Sequence, residues 1–316
     1  MTLALLWMVV GLVLLVVGGE ALVRGASGLA QLLRVRPAVV GLTVVAAGTS
    51  MPELMVSMTS ALNGQVDVAV GNIVGSNIFN ICAILGLTAM LAPMAVRSGV
   101  LRLEWPATLA ATWLFVLLVR DGTLDRFEGG SLLAALVFFT GYAVWLARRE
   151  VPPEGEVPLP SFGGTGGAAW ARNVGGVVAG VGALALGADR FVEGAVEIAT
   201  ALGVSELVIG LTVVAAGTSL PELVTSIVAA RRGNHDVAIG NVLGSNLFNL
   251  LGIGGATAFV TDLPVTRAIL DRDGWWMLAA TALLFPLLRT EFRLSRLEGA
   301  MLFAVFVAWT LQLVLP

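Results

Sequence analysis

The chain has 316 residues, of which 57% are hydrophobic and only 12% charged, with a mean hydropathy of +0.92. That balance excludes an ordinary soluble globular domain and reads as a membrane protein. The net charge of −3 identifies no partner, and the single cysteine, Cys82, excludes an internal disulfide and any cysteine-based metal cluster.

The N-terminal stretch MTLALLWMVVGLVLLVVGG lacks the basic n-region of a signal peptide and runs on to about Leu33, so it reads as a first retained helix. Crossing the hydrocarbon core takes about 20 apolar residues. By that measure ten segments qualify: 3–33, 38–62, 66–91, 100–119, 129–147, 173–199, 206–230, 236–260, 274–289 and 296–315. The predicted fold class is an all-α polytopic membrane protein of ten transmembrane helices. The Pro- and Gly-rich stretch around 151–172 reads as a flexible linker between a first five-helix unit, 1–150, and a second, 173–316.

The two units repeat one another. Residues 41–53 read GLTVVAAGTSMPE and residues 210–222 read GLTVVAAGTSLPE, differing only at Met51 and Leu220. A second block follows each, GNIVGSNIFN at 71–80 and GNVLGSNLFN at 240–249, and both pairs are 169 residues apart. Equivalent segments are separated by five crossings, an odd number, so the second copy is predicted to lie upside down relative to the first. Inverted repeats of this kind place their substrate site near the midplane, on broken helices.

Arginine placement predicts the orientation. With the N-terminus outside, Arg34, Arg36, Arg97, Arg102, Arg148, Arg149, Arg172, Arg231, Arg232, Arg289, Arg293 and Arg296 fall inside, against Arg120, Arg126, Arg267 and Arg272 outside. Both termini are then outside and the linker inside. Glu20 aligns with Asp189 and Gly25 with Gly194; because Arg24 and Arg190 lie close by, local ion pairing outweighs a transport role for the two acids.

The doubled blocks carry the chemistry. Pro52 has no amide hydrogen for the carbonyl of Gly48, and Pro221 does the same in the second copy, so both helices must kink or break. Broken helices at membrane depth survive only where protein, water or an ion satisfies the freed groups. The carbonyls from Ala46 to Thr49 and from Ala215 to Thr218 therefore become candidate ligands for a hard cation. Thr49, Ser50, Glu53 and Ser57 share one face around the break. Asn72, Ser76 and Asn80 form a polar stripe on the next helix, flanked by Gly71 and Gly75, which would permit close approach of a neighbour. Thr218, Ser219, Glu222, Ser226, Asn241, Ser245 and Asn249 repeat the pattern. Asn77 and Asn246 fall off the stripe and suit capping or interhelical bonding. For Ser57, Ser226, Asn72 and Asn241, helix packing and ion ligation are equally good readings.

A mid-membrane carboxylate costs about 2.5–3.5 kcal/mol on insertion scales. No basic residue lies in either signature span to neutralise Glu53 or Glu222, so a proton or a bound cation must do so. Two carboxylates with hydroxyl, amide and carbonyl oxygens make an all-oxygen site suited to Ca²⁺ or Na⁺ rather than zinc or copper. Two negative charges balance one Ca²⁺ or two Na⁺, which is a basis for competition.

At these residues the sequence resembles the sodium/calcium exchanger family of the Ca²⁺/cation antiporters, whose two alpha repeats look like GTSMPE…GNIVGSNIFN and GTSLPE…GNVLGSNLFN. The resemblance implies an alternating-access antiporter, not an enzyme, in a prokaryotic plasma (inner) membrane, exchanging Na⁺ for Ca²⁺ with no cofactor beyond the transported ions and no protein or nucleic-acid partner. It implies that Glu53 and Glu222 bind Ca²⁺ with the carbonyls of Thr49 and Thr218. Na⁺ would use Ser50, Ser219, Ser76, Ser245, the carbonyls of Ala46 and Ala215, and the same glutamates Glu53 and Glu222, with Asn80 and Asn249 completing the polar layer. The first and sixth helices would slide across the others. Where many prokaryotic members and the potassium-dependent branch carry Asp, this sequence has Asn249, which speaks against potassium dependence. The proton-coupled branch has a further glutamate after the Gly-Asn pair, whereas here Ile73, Val74, Val242 and Leu243 follow, which favours Na⁺ over H⁺. The competing readings are a Ca²⁺/H⁺ exchanger on the same scaffold, a passive cation channel, and an intramembrane enzyme using Ser50 or Ser219 with His235 as base.

Overall fold

A computed structural model describes residues 2–33, 35–149, 161–163, 166–202 and 215–314. Among the described residues the chain is helical apart from four two-residue strands and short connecting turns. Helix α1 (Thr2–Leu33) is followed by a broken segment made of α2 (Pro37–Val40), a π-helical turn (Gly41–Val45), α3 (Ala46–Thr49) and α4 (Met51–Leu62). Next come α5 (Val66–Ile78), a π-helical stretch (Phe79–Leu85) and α6 (Gly86–Leu91), then α7 (Trp105–Leu118) and α8 (Arg126–Arg149). The second half contains α9 (Gly166–Ala201), α10 (Ala215–Thr218), α11 (Leu220–Arg231), α12 (His235–Leu247), a π-helical stretch (Phe248–Gly254) and α13 (Gly255–Val260). It ends with α14 (Gly274–Arg289) and α15 (Arg296–Val314).

Among the described residues seven helices are long and apolar enough to cross a membrane, and eight if the pair Pro37–Thr49 and Met51–Leu62, bent by 45°, is one broken span. Two predicted spans stand apart from these. Segment 206–230 begins within 203–214, outside the described residues, and 274–289 is α14, which continues the π-helical turn Ile269–Asp273 and so carries three charges, Asp271, Arg272 and Asp273, at that end. Most of the predicted linker also lies outside the described residues. Its last part differs from expectation: GGAAWAR belongs to α9, which starts at Gly166, because Ala and Arg favour helix once the Pro-rich stretch is passed.

The two longest helices pack on each other, antiparallel, through a glycine every seventh residue. Gly11 lies against Gly187 and Phe191, Gly18 against Gly180 and Leu184, and Gly25 against Asn173 and Val177. A Cβ at these three positions would sit 2.6, 2.8 and 2.7 Å from backbone atoms of the other helix, so only glycine allows this approach. Apolar burial gives little drive between helices surrounded by lipid tails, which makes such close backbone contact the main source of association. Gly180, Gly187 and Gly194 stand 169 residues after Gly11, Gly18 and Gly25, so the partners are each other's counterparts in the repeat.

The loops show the same exchange. Strand β1 (Met94–Ala95) pairs antiparallel with β4 (Arg293–Leu294), and β2 (Thr123–Leu124) with β3 (Leu263–Pro264). Strands β1 and β2 precede and follow α7, yet β3, the counterpart of β1, joins the sheet containing β2. Gly86 packs on Gly299, and Gly255 on Gly129, across the same division. At the centre of the bundle the stretch His235–Val260 is the most enclosed of the apolar helices.

Candidate cation site

Each signature block places its acid at the start of a helix. Helix α3 ends at Thr49, Ser50 leaves the helical region at φ −84°, ψ 12°, and α4 restarts at Met51 with Pro52 in its first turn. Proline is tolerated there because first-turn amides have no intrahelical acceptor. Ser219, at φ −92°, ψ 8°, and Pro221 repeat the break before α11. Glu53 and Glu222 thus occupy the first turns of α4 and α11, at the positive ends of the helix dipoles. That placement is worth about 0.3–1 kcal/mol, up to roughly 2 in partly buried geometries. It does not offset the ~2.5–3.5 kcal/mol cost of each buried carboxylate.

The two acids are held by each other's half. Ser50 Oγ donates to Glu222 Oε1 at 2.8 Å, and Ser219 Oγ donates to Glu53 Oε1, also at 2.8 Å. All four side chains are buried. The Oε2 atoms of both glutamates have no hydrogen-bond partner among the described residues. Neither half therefore completes its own carboxylate environment.

The asparagines one helix away brace the breaks. Asn72 Nδ2 donates to the Glu53 carbonyl at 3.2 Å and to Ser57 Oγ at 2.9 Å; Asn241 Nδ2 donates to the Glu222 carbonyl at 3.3 Å and to Ser226 Oγ at 3.0 Å. Thr49 Oγ1 lies 3.1 Å from the Val45 carbonyl and 3.2 Å from Asn241 Oδ1, and its single proton serves one of these acceptors at a time. For Ser57, Ser226, Asn72 and Asn241 the geometry favours the packing reading. The Ala46 carbonyl is not stripped of partners, since it accepts from the Ser50 amide at 3.0 Å. A carbonyl has a second lone pair, so this leaves room for a further ligand.

Ser76, Asn80, Ser245 and Asn249 are buried but, among the described residues, make no hydrogen bond to either glutamate side chain. Ser76 Oγ reaches only Asn72 Oδ1, at 3.5 Å. Asn80 Oδ1, Ser245 Oγ and both polar atoms of the Asn249 side chain are buried without a partner among the described residues. Unsatisfied buried polar atoms are uncommon and need a reason, and an oxygen-seeking ion is one. Asn80 and Asn249 also lie in the π-helical stretches, a departure from α geometry that recurs at functional sites. Thr218 is half-buried at the end of α10, and Ala215 opens that helix, but Gly210–Val214 of the block GLTVVAAGTSLPE lie outside the described residues.

Gly71 and Gly75 do not bring a helix close, contrary to expectation: a Cβ at Gly71 would meet no atom of the described residues within 4 Å, and one at Gly75 only Trp309, at 3.8 Å. Their counterparts do so instead, Gly240 lying against Ala38 and Gly244 against Leu42. Asn246 Nδ2 donates across helices to the Asn77 carbonyl at 3.2 Å. Glu20 is salt-bridged to Arg24 at 2.5 Å and to Arg232 at 2.6 Å, which ties α1 to the end of α11. Asp189 lies 3.7 Å from Arg190. His235 Nδ1 accepts from the Ala95 amide at 3.1 Å, so its one basic nitrogen is committed to a strand.

A helical membrane bundle with two buried carboxylates on broken helices, each completed from the opposite half, defines an ion transporter rather than an enzyme. The chain belongs to the sodium/calcium exchanger family: the family model described as "Sodium/calcium exchanger protein" matches residues 3–145 and 172–315. It is 39% identical to the putative antiporter CaxA of Alkalimonas amylolytica over 98% of this chain and 98% of that protein. It is 31% identical to the sodium/calcium exchanger MaX1 of Methanosarcina acetivorans over 99% of each. A solved structure of the sodium-calcium exchanger NCX_Mj, soaked with zero Na⁺ and Ca²⁺, superposes with a TM-score of 0.86 at 28% identity, covering 99% of both chains.

Proposed function

We propose that this family antiporter exchanges Na⁺ for Ca²⁺ by alternating access, through one site shared by two inverted five-helix repeats in a prokaryotic plasma membrane. The observation that carries the reading is the reciprocal pair of hydrogen bonds, Ser50 to Glu222 and Ser219 to Glu53. One divalent ion between the two glutamates would neutralise both, whereas either alone could balance only a monovalent ion. Glu53 and Glu222 would ligate Ca²⁺ with the carbonyls of Thr49 and Thr218. The hydroxyls of Ser50, Ser219, Ser76 and Ser245 and the carbonyls of Ala46 and Ala215 would take Na⁺. Asn80 and Asn249 are neutral members of the same layer, and their partnerless oxygens suit a cation.

Support for inversion comes from the antiparallel run of α1 against its own counterpart α9 and from the exchange of counterpart strands between the two small sheets. On the arginine bias both termini face outside. The name of MaX1 is consistent with Na⁺ as the driving ion.

The test is Ca²⁺ uptake into proteoliposomes driven by an imposed Na⁺ gradient with the pH gradient collapsed by an ionophore. The proposal expects uptake that follows the Na⁺ gradient and stops without a counter-ion. Uptake only under a pH gradient would identify a Ca²⁺/H⁺ exchanger, and uptake needing no counter-ion would identify a channel.

A further inference from the structure

Away from the cation site, between the first-half residues Val74, Val116 and Arg120 and the start of α14, lies a cavity of about 220 Å³. One water needs only roughly 10–15 Å³. Most of its lining residues are apolar, including Val116, Gly274 and the exposed Trp275, while polar groups, with Arg120, Arg267 and Asp271 among the lining residues, supply the larger share of its exposed surface.

The repeat gives this space a counterpart in sequence. The residues 169 positions away from Gly274 and Val116 are Trp105 and Phe285. There the two rings pack on each other, 4.7 Å apart, with Trp105 Nε1 donating to the Thr281 carbonyl at 2.8 Å. One pair of these positions thus holds two aromatic side chains, and the other a glycine and a valine.

The charges say what kind of occupant fits. Arg120 and Arg267 have no ion-pair partner among the described residues. Neighbouring charges are engaged elsewhere: the Asp121 carboxylate accepts from the Thr123 amide at 3.0 Å, Arg126 lies 3.9 Å from Asp262, and Arg272 is salt-bridged to Asp273 at 2.9 Å. With Asp271 included, the lining carries a net single positive charge. Trp275 and Trp113 meet edge to face at 6.3 Å and are both about half exposed, as suits indoles at a membrane–water boundary.

We propose that this cavity binds an anionic membrane lipid, with part of an acyl chain in the apolar space and the headgroup phosphate held by Arg120 and Arg267. A free anion would gain the arginines but nothing from the apolar walls, so a lipid accounts for both features. The site lies outside the cation-binding layer and does not depend on which ions are exchanged.

The test is native mass spectrometry and thermal unfolding of the full-length protein in detergent, with phosphatidylglycerol, phosphatidylcholine or inorganic phosphate added. Wild type should retain one phosphatidylglycerol per chain and gain thermal stability from it, with no gain from the other two. The Arg120→Gln/Arg267→Gln variant should lose both effects. Gly274→Trp combined with Val116→Phe should also lose them by filling the space, and the arginine variant decides the matter if that pair fails to fold. Equal responses to the two lipids, an unchanged response in the arginine variant, or a matching effect of inorganic phosphate would overturn the proposal.

Discussion

Replacing Glu53 with Gln changes the charge of the site and almost nothing else. The glutamine carbonyl can still accept the Ser219 hydroxyl, now 2.8 Å from Glu53 Oε1, so the cross-link between halves is kept. Without ions the variant is relieved of one buried carboxylate, worth about 2.5–3.5 kcal/mol, so the protein should unfold no more readily than wild type. With Ca²⁺ the effect reverses. Removing one partner of a buried charge pair costs about 3–5 kcal/mol. At 1.4 kcal/mol per tenfold, this lowers Ca²⁺ affinity by roughly two to three and a half orders of magnitude. Thermal unfolding at rising Ca²⁺ should show stabilisation in wild type and little in Glu53→Gln, following the linkage between ligand concentration and stability. Radiolabelled Ca²⁺ uptake should fall to background. Glu222→Gln should match it in both assays. Wild-type-like uptake in either variant would refute the reasoning, and so would a variant that loses uptake only because it no longer folds.

Four further outcomes follow from the structure. Ser50→Ala and Ser219→Ala each remove a hydroxyl that donates to the opposite glutamate, a bond to a charged group worth about 1.5–3 kcal/mol; Ca²⁺ titration should show similar losses of roughly tenfold to a hundredfold in both. Asn241→Ala should impair transport through the Glu222 carbonyl and Ser226 that it braces, and thermal unfolding should detect this as a loss of about 1–3 kcal/mol from the groups left unpaired. Gly18→Ala should destabilise by about 1–3 kcal/mol, because its Cβ would meet the Leu184 amide at 2.8 Å. Gly182→Ala on the same helix pair meets nothing of the described residues within 4 Å and should be neutral or slightly stabilising, as alanine is the better helix former.

The doubled motif makes the two acids, the breaks and their shared chemistry legible, because a costly residue written twice in apolar runs is hard to attribute to helix packing. Further features are written in the sequence but need the partner helix to acquire meaning. Gly11, Gly18 and Gly25 recur every seven residues, and only the antiparallel approach of α9 shows what that spacing permits. Ser50 and Glu222 are 172 residues apart, and local spacing cannot reveal that each serine serves the other half's acid. Regular helical spacing puts Asn72, Ser76 and Asn80 on one polar stripe. The structure turns π-helical at Phe79, so Asn80 stands on a different register from the other two. Gly71 and Gly75 look identical in sequence to Gly240 and Gly244 yet differ in surroundings, because the halves are not conformationally equal.

The central claim is that one site, assembled from both halves, serves both ions. Equilibrium binding of radiolabelled Ca²⁺ to the purified protein, repeated at increasing Na⁺, tests it most directly. The account predicts one Ca²⁺ per chain, displaced competitively by Na⁺ and lost in Glu53→Gln and Glu222→Gln alike. Two independent Ca²⁺ ions per chain, each abolished by only one of the substitutions, or binding indifferent to Na⁺, would contradict it.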